Sequence, residues 1–482
     1  MIFDHLWTVL YLVNYLAVAV AVVHLLRARR EPRGMMAWIL ALVFLPFIGL
    51  FLFLVIGRMP IQRRVKRRQR RRGMIEPELS QRREKWVRPF DAMDLAELDP
   101  SQRSLIRLAT RVSESVVMRG NDVVVYHDAE ALFLSMSLAI EAAQSHIHLE
   151  YYIFFADETG RAVRDLLVKK ARQGVEVRVL LDAMGNWRLP RSFVREMRRE
   201  GIKVAYFLPW GLTGRRLHVN FRNHRKLIIV DGRVGFAGSQ NIGDVYLGRL
   251  KKLGPWRDTH LKIVGPAVSS MQEIFVEDWH FATGEKLAAD RYFPDPTPAG
   301  DKLVQIVASG PDRRPNVMYQ LLNAAVNDAR HTVSLVTPYF VPDDAIALSL
   351  ASAAWRGVRV RLLLPSKSDH WFLMWAGRSF YHELLEAGVE IYEYADGMLH
   401  SKVAVIDKRW AMVGSANMDI RSFKLNFEVT SLIYDAEVAE QVQADFESLR
   451  EKARRVSVKD VEGWNHWQTM AAGLARLASP ML

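Results

Sequence analysis

The 482-residue chain contains no cysteine, which excludes disulfide bonds and thiol redox chemistry and suits a reducing compartment. The sequence also contains no metal-binding pattern, because the six scattered histidines named below do not have the spacing of a ligand set. We therefore expect no metal and no cofactor. These histidines are His146, His148, His218, His370, His382 and His466.

Charge is missing from two long N-terminal segments, residues 6–26 and 35–57, which contain no Asp, Glu, Lys or Arg. Each segment is long enough to cross a hydrocarbon core of about 30 Å. A signal peptide is disfavoured, because no basic region precedes the first segment and a second apolar segment follows it closely. We therefore predict an N-terminal two-helix transmembrane hairpin over residues 1–57, with these two segments as its spans.

Residues 58–72 contain no acidic residue and nine Lys and Arg. Residues 1–72 together carry +11 of the chain's net charge of +13. We interpret residues 58–99 as a basic juxtamembrane linker that sets the topology, attracts anionic headgroups, or does both. The positive-inside rule places this linker and the rest of the chain in the cytoplasm. A re-entrant hairpin stays open as an alternative, because the loop between the spans is itself basic and Pro46 and Gly49 permit a bend.

One motif, His-x-Lys-x4-Asp-x6-Gly-Ser-x-Asn, occurs twice with identical internal spacing, and the copies begin 176 residues apart. Two chance matches in register are improbable, so the copies indicate an internal repeat. The first copy comprises His224, Lys226, Asp231, Gly238, Ser239 and Asn241. The second comprises His400, Lys402, Asp407, Gly414, Ser415 and Asn417. On these residues the chain resembles the phospholipase D superfamily, in which two such motifs form one phosphodiester-cleaving site.

The residue types of the motif suit phosphodiester chemistry. A phosphodiester needs a nucleophile, a proton donor, and positive charge or N–H donors around its non-bridging oxygens. The two lysines can supply positive charge, and the hydroxyl and amide groups can add hydrogen bonds. The predicted phosphate-binding residues are Lys226, Ser239, Asn241, Lys402, Ser415 and Asn417.

The resemblance implies a division of work between the two histidines. The family pattern makes His224 the nucleophile and His400 the acid and base, although the symmetry of the site leaves the reverse open. An attacking imidazole needs its other ring nitrogen held by an acceptor. In the family this acceptor is a carboxylate downstream of each motif, and aligning the two halves assigns Asp258 to the first half and Glu428 to the second.

The motif aspartates, Asp231 and Asp407, complete the predicted catalytic set together with the two histidines and the two lysines. Each aspartate follows an apolar run, at residues 227–230 and 403–406, that reads as a buried strand. A position between a strand and a turn favours a structural role for both aspartates.

The repeat extends beyond the motifs, because residues 150–154 and 173–182 correspond to residues 337–341 and 356–365. Strands that alternate with helix-like stretches indicate an α/β fold with a mixed, largely parallel sheet. The resemblance implies two phospholipase D-like α/β/α sandwich lobes with pseudo-twofold symmetry and a shared cleft. The predicted bounds are 100–292 for the first lobe, 293–300 for a Pro-rich linker, 301–455 for the second lobe and 456–482 for a C-terminal amphipathic helix.

The C-terminal segment repeats apolar residues at helical spacing. Tryptophan is favoured at the membrane interface, so this helix either lies there or packs on a lobe. Its apolar residues are Trp464, Trp467, Ala471, Leu474, Leu477 and Met481.

A few further residues lie near the expected cleft. Four aromatic residues either line it or fill the core: Tyr151, Tyr152, Tyr339 and Phe340. Arg378 either meets a second phosphate or is an ordinary surface arginine.

The N-terminal segment and residues 417–428 make the chain similar to bacterial cardiolipin synthases of the phospholipase D type. This resemblance implies a multi-pass enzyme of the bacterial cytoplasmic membrane that condenses two phosphatidylglycerols to cardiolipin and glycerol through a phosphatidyl-histidine. A hydrolytic phospholipase D would use the same residues with water. A membrane-tethered nuclease, and any nucleic-acid partner, are disfavoured because residues 73–482 carry a net charge of only +2. The sequence indicates neither the oligomeric state nor whether phosphatidylethanolamine can replace one phosphatidylglycerol.

Overall fold

A computed structural model of the chain describes residues 2–27, 32–54, 61–86, 98–209, 221–249, 254–313, 316–368 and 370–478. The chain divides into two compact units, Met1–Arg67 and Arg68–Leu482. Three helices belong to the first unit: Ile2–Arg27, Pro32–Phe44 and Ile48–Leu52.

The first predicted span is a continuous helix in the structure, and its stretch Trp7–Arg27 is long and apolar enough to cross a membrane. The second predicted span is interrupted at residues 45–47, so it is not one continuous helix, and the bend lies where the re-entrant alternative allows it. Helix Pro32–Phe44 has 13 residues and is about 20 Å long, too short for a hydrocarbon core of about 30 Å.

The interruption follows from the local sequence. Pro46 has no backbone N–H to donate, and Phe47 takes a left-handed conformation with φ 65°. At Gly49 a Cβ would lie 2.1 Å from the backbone oxygen of Ala41, so only glycine permits this bend. The bend is fastened to the first helix, because the Phe47 N–H donates to Asn14 Oδ1 at 3.2 Å.

Helix Ile61–Gly73 passes from the first unit into the second. The other helices described for the second unit are Glu76–Trp86, Pro100–Ser113, Ala129–Ala142, Glu158–Arg172, Arg191–Arg199, Val268–Thr283, Val317–Asp328, Asp344–Trp355, Trp371–Arg378, Tyr381–Glu386, Ile420–Lys424, Ala436–Glu451, Val458–Glu462 and His466–Ala478. Two short 3-10 helices are Asp244–Leu247 and Asp290–Tyr292.

The strands of the second unit form two similar sets. The first set is β1 Val117–Tyr126, β2 His146–Tyr151, β3 Glu176–Asp182, β4 Lys203–Phe207, β5 Arg222–Asn223, β6 Lys226–Val230, β7 Val234–Gly238, β8 Trp256–Arg257 and β9 His260–Val264. The second set is β10 Lys302–Ser309, β11 Thr332–Val336, β12 Phe340–Val341, β13 Arg359–Pro365, β14 Glu390–Tyr394, β15 Met398–Leu399, β16 Val403–Ile406, β17 Trp410–Gly414, β18 Met418–Asp419, β19 Asn426–Ile433 and β20 Ala453–Val456.

The strand order makes this a mixed α/β fold. The first set follows the order β4-β3-β2-β6-β7-β9-β1, and pairing of β1 with β10 joins it to β10-β19-β17-β16-β11-β13-β14-β20. The second set therefore repeats the first in reverse order. Parallel pairing in this path is confined to β2-β3-β4 and β11-β13-β14, so the expectation of a largely parallel sheet is wrong. The motif strands reverse direction through tight turns, so β6-β7 and β16-β17 are antiparallel hairpins, and the other pairs in the path are antiparallel as well.

Helices cover the motif strands, and every residue of β6 and β16 is buried. Burial on both faces explains why these strands are continuous apolar runs rather than alternating ones. The two sets have separate apolar clusters, one around Leu149, Val179 and Ile228 and the other around Leu335, Leu362 and Ala404.

Part of the predicted basic linker belongs to the folded second unit. The Arg68 side chain is only 4% exposed and forms ion pairs with Asp278 and Asp312. Its guanidinium also lies 4.3 Å from the centroid of the Phe427 ring and 5.1 Å from that of Phe281. Composition alone indicates a solvated arginine here, but two buried carboxylates and a set of aromatic rings create a specific site for this side chain.

Candidate active site

Both motifs come together because each histidine continues a short strand that pairs with the other half. Strand β5 runs parallel to the start of β19, and the backbone N–H of His224 donates to the oxygen of Phe427 at 2.9 Å. Strand β15 pairs with β8 in the same way, and the N–H of His400 donates to the oxygen of Arg257 at 2.7 Å. Each histidine is thus positioned by the half that does not contain it.

The two carboxylates identified from the sequence contact the histidines, and the pairing crosses between the halves. Nδ1 of His224 lies 3.0 Å from Glu428 Oε2, and Nδ1 of His400 lies 2.8 Å from Asp258 Oδ1. The sequence alignment placed each carboxylate with the motif of its own half, so that association is corrected. In this arrangement Nδ1 is held by a carboxylate, which leaves Nε2 of each ring for chemistry.

The electrostatic surroundings keep His224 neutral. Burial lowers its pKa to about 4, against the opposing effect of the Glu428 carboxylate. Burial also disfavours ionised Glu428, but the neighbouring His224 and Lys226 hold the pKa of this carboxyl below its ordinary value. A neutral imidazole with a fixed tautomer has the lone pair that a nucleophile needs.

His400 has similar surroundings. Burial and the nearby Lys402 lower its pKa. Burial disfavours ionised Asp258, but His400 and Lys402 keep the pKa of this carboxyl well below its usual range.

The two motif lysines are buried and make equivalent contacts. Each Nζ donates to the backbone oxygen of its own motif histidine at 2.6 Å, Lys226 to His224 and Lys402 to His400. Burial lowers the pKa of Lys226 to about 7; Glu428 opposes this shift, and repulsion from Lys402 adds to it. An anion between the two lysine side chains would offset this repulsion and favour their charged forms.

The motif serines and Asn241 contact protein groups in this structure. Ser415 Oγ donates to Glu428 Oε2 at 2.5 Å, and Ser239 Oγ donates to the backbone oxygen of Thr259 at 3.0 Å. Asn241 Nδ2 donates to the hydroxyl of Tyr246 at 3.2 Å. The two serine contacts tie the motif loops to the segments that carry Asp258 and Glu428. The phosphate contacts predicted for Ser239, Asn241 and Ser415 stay a prediction.

Asp231 and Asp407 lie at the other ends of β6 and β16. Asp231 accepts three backbone N–H groups, from residues 144 to 146, each at 2.8 Å. Asp407 accepts the equivalent three, from residues 330 to 332, at 2.7 to 2.9 Å. Because β6 has five residues of about 3.3 Å each, Asp231 lies roughly 16 Å along the strand from Lys226. Both aspartates fasten a turn, as their position after a strand indicates.

Aromatic rings flank both histidines. The Tyr152 ring centroid lies 4.7 Å from that of His224, and the Trp256 centroid lies 5.2 Å from that of His400. Tyr152 was among the sequence candidates, whereas Trp256 was not. Tyr151 is buried in the core of the first strand set, and Arg378 pairs with Glu393 at 3.0 Å.

Arg225, between His224 and Lys226, is a positioning residue that the motif did not indicate. It is fully buried, its Nε donates to the backbone oxygen of Glu428 at 3.1 Å, and its Nη1 pairs with Asp278. The equivalent position in the second copy is Ser401, so the repeat gave no signal for this arginine.

Comparisons with known proteins agree with the duplicated arrangement. A family profile described as "Cardiolipin synthase, PLD-like domain" matches residues 136–279 and 322–450, and one described as "Phospholipase D-nuclease N-terminal" matches residues 16–58. The chain is 41% identical to a cardiolipin synthase of Geobacillus kaustophilus, covering 94% of this chain and 90% of that protein. It is 36% identical to a cardiolipin synthase of Oceanobacillus iheyensis, covering 97% of each chain.

A solved structure has a similar fold. The phosphatidylserine synthase of Haemophilus influenzae matches with a TM-score of 0.60, over 80% of this chain and 100% of that one. At 14% identity, this likeness indicates a shared fold alone.

Proposed function

We propose, because this chain belongs to the bacterial cardiolipin synthases of the phospholipase D superfamily, that it condenses two phosphatidylglycerol molecules to cardiolipin and glycerol. The chain is accordingly a phosphatidyltransferase. One observation supports the mechanism above all: the histidines of the two motifs occupy one site, each with Nδ1 against a carboxylate of the other half.

In the first step, Nε2 of His224 attacks the phosphorus of the first phosphatidylglycerol. The bond between phosphorus and the headgroup glycerol oxygen breaks, and His400 gives this oxygen its proton. The products are free glycerol and a phosphatidyl group bound to His224. His400 must be protonated for this step, and an anionic phosphodiester beside it would offset the burial and the Lys402 repulsion that lower its pKa.

In the second step, His400 removes the proton from a headgroup hydroxyl of a second phosphatidylglycerol. The resulting oxygen attacks phosphorus, the bond to His224 breaks, and cardiolipin leaves. Lys226 and Lys402 stabilise the charge on the non-bridging oxygens in both steps. The phosphodiester broken and the one formed are alike, so the reaction should be close to equilibrium and reversible.

The architectural part of the proposal is a membrane hairpin at residues 1–57 followed by two lobes, 100–292 and 301–455, related by a pseudo-twofold axis. The reversed strand order supports this symmetry. Helix Trp7–Arg27 would span the bacterial cytoplasmic membrane, and the bent second segment suits the re-entrant form. The excess of arginine after the hairpin favours a cytoplasmic position for the lobes.

We expect the purified, detergent-solubilised protein to convert phosphatidylglycerol alone into cardiolipin and an equal amount of glycerol, as resolved by mass spectrometry. Phosphatidic acid without cardiolipin would identify a hydrolase instead. An absence of turnover with this lipid would contradict the proposed substrate.

We also propose that Arg222 and Arg421 bind the phosphate of the second phosphatidylglycerol. Arg222 lies two residues before His224 on the same extended segment, so both side chains leave it on one face. Arg421 lies in the first turn of helix Ile420–Lys424, four residues after Asn417. Burial raises the pKa of Tyr152, and the Asp182 carboxylate raises it further. The positive charges of Arg222 and Arg421 oppose this rise, so both arginines lie near the Tyr152 ring, which packs on His224.

Replacing Arg421 or Arg222 by Gln should therefore impair cardiolipin formation more than transfer to ethanol, an acceptor without a phosphate. We expect the ratio of the two rates to fall by about tenfold or more, the size of one lost charged hydrogen bond. Arg195→Gln, at an exposed position on helix Arg191–Arg199, is the control and should leave the ratio unchanged. Equal loss in both reactions would assign the arginines to the shared first step.

A further inference from the structure

The C-terminal helix His466–Ala478 buries its small side chains and exposes its large ones. Ala475 is fully buried against Val341 and Ala376. On the outer side Trp467 is 77% exposed and Leu477 80% exposed. Met470 and Leu474 lie between them on the same side and are also exposed, at the helical spacing of three to four residues.

This arrangement is the reverse of what water favours. A helix covered only by solvent would turn its tryptophan and leucines inward and leave its alanines outside, because burying a leucine side chain contributes about 2 kcal/mol. Trp371, on the neighbouring helix Trp371–Arg378, is also exposed. We call the four large exposed residues of the C-terminal helix the C-terminal apolar face: Trp467, Met470, Leu474 and Leu477.

The face lies one layer away from the active site. Helix Trp371–Arg378 packs directly on β12, where a Cβ at Gly377 would lie 2.4 Å from the backbone oxygen of Phe340. Strand β12 in turn pairs with β18, with Phe340 opposite Met418, the residue that follows Asn417 of the second motif. A contact on the C-terminal apolar face therefore bears on the elements that carry this motif residue.

We propose that the C-terminal apolar face rests in the interfacial region of the lipid bilayer, as a membrane contact in addition to the N-terminal helix. The inference rests on the proposed function, because the substrates are lipids that stay in that bilayer while their headgroups react. Tryptophan and leucine on one side of a surface helix are the residue types that enter this interface. A bilayer suits this side of the helix, since its exposed large side chains form one stripe along the helix axis.

The contact would hold the cleft at the headgroup level. A headgroup phosphate then reaches the histidines while its acyl chains remain in the membrane. The tether at the N-terminus keeps the enzyme near the bilayer, whereas the C-terminal apolar face orients it.

The absence of cysteine makes a direct test straightforward. A spin label on a single Leu474→Cys substitution in the full chain, reconstituted in phosphatidylglycerol vesicles, should be more accessible to oxygen than to a water-soluble nickel complex. The control label, on Lys169→Cys at an exposed polar position, should show the opposite preference. A Leu474 label that behaves like the Lys169 label would overturn the proposal. Strong spin–spin broadening would also overturn it, because a second copy of the chain would then cover the face.

This measurement needs no turnover, so it fails or succeeds independently of the proposed reaction. A second readout concerns activity. The double variant Leu474→Ser, Leu477→Ser should lose about tenfold in the ratio of its rate in vesicles to its rate in detergent micelles. The matched pair Leu134→Ser, Leu138→Ser, exposed on helix Ala129–Ala142, should keep the ratio of the wild type. Equal loss in vesicles and micelles would contradict an orienting role.

Discussion

His224→Ala should lower kcat for cardiolipin formation by about 10⁵-fold, because it removes the atom that becomes bonded to phosphorus. His400→Ala should cause a similar loss, since the leaving glycerol oxygen is then not protonated and the acceptor hydroxyl is not deprotonated. Overall rates therefore do not distinguish the two roles. The two site histidines have nearly equivalent surroundings, each with a buried carboxylate on Nδ1 and a lysine bound to its backbone oxygen.

A donor with a nitrophenolate leaving group separates the roles, because nitrophenolate leaves without protonation. His400→Ala should release about one equivalent of nitrophenolate per site and then stop, with the phosphatidyl group held on His224 and no base to activate an acceptor. His224→Ala should give no such burst. The opposite pattern would exchange the two assignments.

His382→Ala is a suitable control for these measurements. This histidine is about half exposed and contacts only Glu386 among the ion pairs described for it, at 3.5 Å on its own helix. Its replacement should leave both the burst and the steady-state rate unchanged.

The residues that meet at this site could be predicted from sequence because they recur at fixed spacing. Two identical motifs located the histidines and lysines, and alignment of the two halves found Asp258 and Glu428. The crossed pairing could not be read in the same way. It depends on β5 and β15 pairing with strands of the opposite half, and two-residue strands have no periodic signal of their own.

Predictions from local composition differed from the structure where tertiary contacts decide the conformation. The second apolar segment has the length of a span, but proline and a left-handed phenylalanine interrupt it. The helix-like stretches between the strands of each half suggested a parallel sheet. The hairpins that follow the motif lysines instead reverse the direction of the strands. Asp231 and Asp407 accept backbone N–H groups of a neighbouring turn, which fits the structural role that their position at a strand end favours. Their place in the predicted catalytic set stays a prediction.

Arg68→Met should destabilise the folded second unit by about 3–5 kcal/mol, the cost of leaving a buried carboxylate without its partner. Arg68 contacts Asp278 and Asp312, and burial alone would lower its pKa, yet these two carboxylates raise it above the ordinary value. Thermal unfolding in detergent, followed by near-ultraviolet circular dichroism, should show a midpoint several degrees lower. Arg67→Met is the matched control, because Arg67 is the exposed neighbour on the same helix and should shift stability by less than about 0.5 kcal/mol.

Arg68→Met should also affect the active site, because a short chain of contacts links Arg68 to His224. Asp278 joins Arg68 to Arg225, and Arg225 holds the backbone oxygen of Glu428, whose carboxylate lies against His224. Loss of Arg68 leaves Arg225 as the ion-pair partner described for Asp278, so the position of the Glu428 strand is less firmly fixed. If Arg68→Met and Arg67→Met have the same unfolding midpoint, the basic segment is a solvated linker at both positions and this buried network does not stabilise the fold.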